Sequence, residues 1–191
     1  MRNIAIILAG GVGNRLGMNK PKQFLKVAGK SIIEHTVDVF QKHPSIDEIA
    51  IVMHESYVHD TENLVIKNKW TKVKKILNGG NERYESSLAA INAYALDDRV
   101  KPINLIFHDA VRPLVSNRII DDTIVALQYY QAVDVAIPAV DTIIALDNSK
   151  KIIDNIPNRS YLNRGQTPQA FNLHIIKKAY EIALQDENFA S

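Results

Sequence analysis

The 191 residues contain no cysteine. That excludes disulfides, thiol nucleophiles and zinc-thiolate centres, and it suits a reducing compartment. An excess of one charge is also missing: 23 Lys and Arg stand against 21 Asp and Glu, a formal net charge of +2. With no global field to draw the chain to nucleic acid or an anionic membrane, any positive patch must be local. Long apolar runs are absent as well. Met1 to Leu8 is too short for a signal-peptide core, and nothing approaches the roughly 18 apolar residues of a membrane span. The expected address is the cytoplasm. Neither an internal repeat nor a low-complexity tract is present. What remains, 46% hydrophobic and 23% charged residues, is an ordinary globular composition that predicts one domain, or one plus an appendage.

Short β-rich runs alternate with amphipathic stretches. Ile4 to Leu8, Glu48 to Met53, Val73 to Leu77, Ile103 to Phe107 and Val133 to Ile137 read as strands. Ser31-Ile-Ile-Glu34 is a capping-box signature that starts a helix at Ser31, with Ile33, Val37 and Phe40 on one stripe. Helical patterns also cover Tyr57 to Asn68, Glu82 to Leu96, Asn117 to Tyr130 behind a Ser116 cap, and Asn172 to Leu184. This alternation predicts an α/β fold, a Rossmann-like, mostly parallel sheet with helices on both faces. After Pro138 the rhythm changes. Asp141 to Leu146 and Lys151 to Ile156 read as two strands joined at Asp147-Asn148-Ser149. Such a ribbon has little core of its own, so the β-arm of residues 139–163 is expected to pack on the domain or on a second subunit.

In open α/β sheets ligands sit beyond the carboxyl ends of the strands. Three loops stand there. In Leu8-Ala9-Gly10-Gly11-Val12-Gly13-Asn14-Arg15, glycines let backbone N–H groups approach a phosphate chain, and Arg15 can fork onto its oxygens. The alternative is a tight turn with a solvated arginine. A Walker A register fails because Phe24 stands where a glycine is needed, and a dinucleotide fingerprint fails at Leu16. A loop ending in Lys20-Pro21-Lys22 suits a triphosphate whose charge grows during reaction. The second loop, Gly79-Gly80-Asn81-Glu82-Arg83-Tyr84-Glu85-Ser86, offers backbone groups to a base edge, with Arg83 and Ser86 on one helix face; its plainer reading is an N-terminal cap. The third, His108-Asp109-Ala110-Val111-Arg112-Pro113, places an acid beside an arginine, as suits magnesium and a phosphorylated partner, or a structural ion pair. His108 alone reads as structural, since no second histidine stands at metal-ligand spacing.

With these loops in this order, the chain resembles the cytidylyltransferases that join CTP to a sugar-alcohol phosphate. The resemblance rests also on Pro21-Lys22-Gln23, Asp141-Thr142, Arg159 and Gln166-Thr167-Pro168-Gln169. It implies that Leu8, Ala9, Gly10, Gly11, Gly13, Gly80, Asn81, Arg83, Ser86 and Ala110 line a CTP site. Arg15 and Lys22 would stabilise charge on the α-phosphate as pyrophosphate leaves. Asp109 would lie near a Mg²⁺ ion and, with Arg112 and Thr167, near the acceptor. The arm would reach across a homodimer, bringing Thr142 and Arg159 to the acceptor phosphate in the neighbouring site.

Asn81 stands where many relatives carry aspartate, which leaves backbone recognition possible and removes one carboxylate. The family's domain ordinarily runs on past Ser191, through an acidic Thr-Asp segment and a strand bearing a lysine, so a C-terminal part is expected to be missing. The stretch Asp154 to Gln169, with His108 to Pro113, looks closer to the ribitol 5-phosphate branch, which feeds teichoic acid and capsule synthesis. The branch acting on methylerythritol 4-phosphate is the runner-up, and a non-catalytic CTP-binding subunit is the alternative from another class.

Overall fold

The computed structural model describes residues 1–11, 21–95, 97, 101–186 and 189. Its centre is a six-stranded sheet. Strands β1 (Arg2–Ala9), β4 (Glu48–Met53), β5 (Val73–Asn78), β6 (Ile103–Asp109), β7 (Ala132–Pro138) and β10 (Asn163–Asn172) lie in the order β5-β4-β1-β6-β10-β7. β1 pairs in parallel with β4 and β6, and β4 with β5. β10 runs antiparallel to both of its neighbours, which leaves β7 pointing the same way as β6. Two short pairs complete the strands: β2 (Lys26–Val27) with β3 (Lys30–Ser31), and β8 (Ala145–Leu146) with β9 (Ile153–Asn155).

β1 and β4 are apolar almost throughout because both of their faces are covered. On one face Ala5, Ile7, Ile49, Ile51 and Ile106 pack with Ile33, Val37 and Phe40 of α1 (Ile32–Lys42), Leu64 and Val65 of α2 (Val58–Asn68) and Ile120 of α4 (Asn117–Ala126). On the other, Ile4, Ile6, Val52, Leu105 and Phe107 meet Ala90, Ile91 and Tyr94 of α3 (Arg83–Tyr94) and Leu173 and Ile176 of α5 (Leu173–Ala183). The residues alternate between faces with the two-residue strand period, so each strand serves both cores. The expected α/β architecture is the one observed.

The helix starts follow their caps. Ser31 and Glu34 form the expected capping box, with the Ser31 N–H donating to Glu34 Oε2 at 2.7 Å. Ser116 Oγ accepts from the Ile119 N–H at 3.3 Å. Two expectations need correction. The α4 helix ends at Ala126, four residues before Tyr130, because Gln128 and Tyr129 close i→i+3 turns onto Val125 and Ala126. β10 is a ten-residue strand that the sequence pattern does not announce, where Gln166–Gln169 stands out only as a motif. The arm is present between β7 and β10 but pairs over only a few residues, at β8 and β9. Among the described residues no helix is long and apolar enough to cross a membrane.

Candidate active site

A cleft of about 680 Å³ opens at the carboxyl ends of β1, β5 and β6, a size usual for small-molecule sites. Its walls come from the three loops that follow these strands. The β1 exit supplies Leu8, Ala9, Gly10 and Gly11, the β5 exit Gly80, Asn81, Arg83 and Ser86, and the β6 exit Asp109, Ala110 and Arg112; Lys22 joins them from a 3-10 turn at Lys22–Phe24. Backbone bonds carry the sheet pairing one step past the strand ends. The Gly79 N–H donates to Met53 O at 2.8 Å and the Ala110 N–H to Leu8 O at 2.9 Å. The loops therefore begin in fixed register, with their following residues turned to the cleft.

The glycines here serve a close approach. The Ser86 hydroxyl, on the first turn of α3, sits between the β1 and β5 loops. A Cβ on Gly79 would stand 2.9 Å from Ser86 Oγ, and one on Gly10 3.3 Å from it. The start of α3 is tied down by a second box, in which the Glu82 N–H donates to Glu85 Oε2 at 3.0 Å.

Asp109 is the electrostatic centre of the rim. Arg83 donates to its Oδ1, and Arg112 Nε donates to its Oδ2 at 2.9 Å. Burial pushes the Asp109 carboxyl up, but the bonds and charge of Arg83, and then of Arg112, hold it below the usual carboxylate value. Each arginine has a second brace from β10: Arg112 Nη1 donates to Gln166 Oε1 at 2.6 Å, and Arg83 Nη2 to Gln169 Oε1 at 3.4 Å. Thr167 Oγ1, almost buried, stands 3.5 Å from the Asp109 nitrogen. His108 is buried, with its ring 5.2 Å from that of Phe40 and Nε2 3.0 Å from the Arg112 carbonyl. Burial first, outweighing the Arg112 carbonyl and Asp109, lowers its pKa, so the ring is neutral and donates from Nε2. This is the structural role expected of it.

Of the residues singled out from the sequence, Leu8, Ala9, Gly10, Gly11, Lys22, Gly80, Asn81, Arg83, Ser86, Asp109, Ala110 and Arg112 line one cleft. Thr167 lies directly behind Asp109. Gly13 and Arg15 lie outside the described residues. Thr142 and Arg159 are exposed on the arm and do not line the cleft, and Arg159 Nη1 donates to Val140 O at 3.0 Å. Sequence reasoning gives no role to Gln23, Gln166 or Gln169. A glutamine carries no local signal, and only the fold shows that Gln23 faces loop carbonyls and that Gln166 and Gln169 face arginines.

The donor set does not fit a protein-held cation. Asp109 is a single carboxylate with a guanidinium on each oxygen, and among the described residues no group of three His, Cys, Asp or Glu comes together. Asp109 is thus an anchor for two arginines, in place of the expected metal ligand.

Comparison with known proteins agrees with this geometry. The chain is 51% identical over 184 residues to the bifunctional ribulose 5-phosphate reductase/CDP-ribitol pyrophosphorylase Bcs1 of Haemophilus influenzae, a match covering 96% of this chain and 38% of that protein. It is 40% identical to the 2-C-methyl-D-erythritol 4-phosphate cytidylyltransferase of Thermobifida fusca, over all of this chain and 77% of that one. The ribitol-5-phosphate cytidylyltransferase of Lactiplantibacillus plantarum is 39% identical, over 98% of this chain and 80% of its own length. The chain thus spans well under half of the Haemophilus protein and about four fifths of the other two. Among solved structures, the 4-diphosphocytidyl-2C-methyl-D-erythritol synthase of Anaerococcus prevotii superposes with a TM-score of 0.82 at 29% identity, covering 97% of this chain and 78% of that one. Residues 3–190 match the family model described as IspD, 2-C-methyl-D-erythritol 4-phosphate cytidylyltransferase. On fold, cleft and sequence together, the chain belongs to this cytidylyltransferase family.

Proposed function

We propose that the protein transfers CMP from CTP to ribitol 5-phosphate, giving CDP-ribitol and pyrophosphate. The observation that carries the proposal is the convergence of a glycine-lined strand exit, Lys22, Arg83 and Arg112 on one cleft in a chain of this family. An oxygen of the acceptor's phosphate attacks the α-phosphorus of CTP. The bond from that phosphorus to the bridging oxygen breaks, and pyrophosphate leaves with the electron pair. No protein nucleophile is needed, because such transfers depend on positioning and on cationic stabilisation of the developing charge.

Loop amides at Gly10 and Gly11 receive the triphosphate, and Lys22 and Arg15 neutralise charge at the α-phosphate. Arg83 and Arg112, presented by Asp109 and the β10 glutamines, meet the phosphates at the rim. A phosphate offers the same paired oxygens as the carboxylate that now holds these forks.

One relative is named for ribitol 5-phosphate and another for CDP-ribitol, which favours this acceptor. The second reading, 2-C-methyl-D-erythritol 4-phosphate as acceptor, is supported by the family model and the Thermobifida relative. The arm supports a homodimer in which Thr142 and Arg159 of one copy serve the other's cleft: it exposes Ile143, Ile144, Leu146, Ile152, Ile153 and Ile156 on a ribbon with no core of its own. The test is pyrophosphate release from CTP with each acceptor in parallel. Faster release with ribitol 5-phosphate is expected; release only with the methylerythritol phosphate overturns the choice of acceptor, and release with neither overturns the reaction.

A further inference from the structure

We propose that Gln23 is a positioning residue that sets the ligand-facing direction of the β1 exit loop. Its side-chain amide nitrogen donates to Ala9 O at 2.7 Å and to Gly11 O at 3.1 Å, which spends both of its hydrogens on the two carbonyls that flank Gly10. The residue is 3% exposed, and its nitrogen rests 3.9 Å from Met53 Sδ on the neighbouring strand.

A phosphate chain is received by N–H groups, and a peptide that aims its N–H at the ligand aims its carbonyl the other way. Ala9 is the last residue of β1, paired with Met53, and beyond it the β1 exit leaves the sheet ladder. The Ala9 carbonyl shares its peptide unit with the Gly10 N–H, so without a donor it would rotate to find water and carry the Gly10 amide with it, and the Gly11 carbonyl needs a donor for the same reason. One neutral donor with two hydrogens meets both. Lysine would bring a charge that the triphosphate attracts, and glutamate would present oxygen to oxygen. Glutamine is the side chain whose chemistry fits, and the 3-10 turn at Lys22–Phe24 fixes its place: the Phe24 N–H donates to Pro21 O and the Leu25 N–H to Lys22 O, both at 3.0 Å. The same turn projects Lys22 into the cleft. One short turn thereby supplies a cation to the nucleotide on one residue and a backbone clasp on the next.

This inference rests on the proposed CTP site. The test is a pair of variants read by calorimetric CTP binding, by KM for each substrate and by thermal melting. Gln23→Met keeps the volume and the contact with Met53 but removes both donors; Gln23→Asn keeps the amide one methylene short of the two carbonyls. Each is expected to raise Kd and KM for CTP about tenfold or more, with KM for the acceptor unchanged and melting close to that of the parent. The clasp is overturned if the folded variants bind CTP within about twofold of the parent. It is equally overturned if both KM values and the melting temperature worsen together, since that marks a general loss of structure. A parent protein that binds no CTP overturns the site itself, and the clasp with it.

Discussion

The packing at the head of the cleft makes Gly79→Ala an informative perturbation. The added methyl would stand 2.9 Å from Ser86 Oγ, but 3.5 Å from Val52 Cγ1 and 3.6 Å from the Gly10 Cα, which are ordinary contacts. One oxygen atom therefore causes nearly all of the conflict. Relieving it moves Ser86, and α3 with it, by roughly half an ångström, a strain of about 1–2 kcal/mol in a packed site. For a domain of this size that lowers the melting temperature by about 3–6 °C. Removing the oxygen should remove the cost. In a Ser86→Ala background, Gly79→Ala is expected to change stability by less than about 0.5 kcal/mol, so the two substitutions couple by about 1 kcal/mol or more. The assay is urea unfolding of the parent, both single variants and the double variant, with CTP binding measured alongside. An equal cost for Gly79→Ala with and without the Ser86 hydroxyl would refute the claim that the two loops meet through it.

Other outcomes follow from the same geometry. Lys22→Ala should lower kcat with CTP by about 10²–10³-fold with an unchanged melting temperature, as expected for a group acting on charge in the transition state; a loss below about threefold, by pyrophosphate release, would remove Lys22 from that role. Glu34 is buried at 2% exposure, and although burial pushes its carboxyl up, the Ser31 amide, Lys67, the Ser31 hydroxyl and Asn68 together hold it at about 2. A depressed carboxyl contributes stability that is present above its ordinary value near 4.5 and lost as pH falls through about 2, roughly 3 kcal/mol in all. Glu34→Gln should therefore flatten the acid limb of a stability–pH curve, and an unchanged limb would show that Glu34 does not supply it. An inactive Lys22→Ala protein mixed with an inactive Arg159→Ala protein should regain about a quarter of the parental rate if each cleft draws its arm from another copy, on the statistical grounds of random pairing; no regain after subunit exchange would show that Arg159 acts within its own chain or not at all.

The sequence carried most of the sheet and the loops that follow its strands, for a physical reason. Buried parallel strands such as β4 are apolar along their whole length, and all six of its residues are buried. Helix starts were legible because Ser31 and Ser116 announce themselves in local chemistry. β10 was not legible. It holds Gly165 and Pro168 inside the strand, shows no alternation, and shifts register between Gly165 and Gln169 where it pairs with β7. Its place is set by the neighbours it finds in space, Phe107 and Ile106 on one side and Val133 on the other. The same limit applied to the cleft. Residues at strand exits were found from position alone, whereas the glutamines that hold the loop carbonyls and the arginines needed the tertiary fold to be recognised.

The arm leaves the sheet at β7 and returns at the adjacent β10, where the Ala139 N–H bonds to the Leu162 carbonyl at 3.0 Å. A segment whose two ends are already neighbours can be lengthened, shortened or rewritten at small entropic cost, since closure depends only logarithmically on its length. The ribbon is in this sense a module clipped at one point, whose length can change at small cost to the nucleotide end of the sheet.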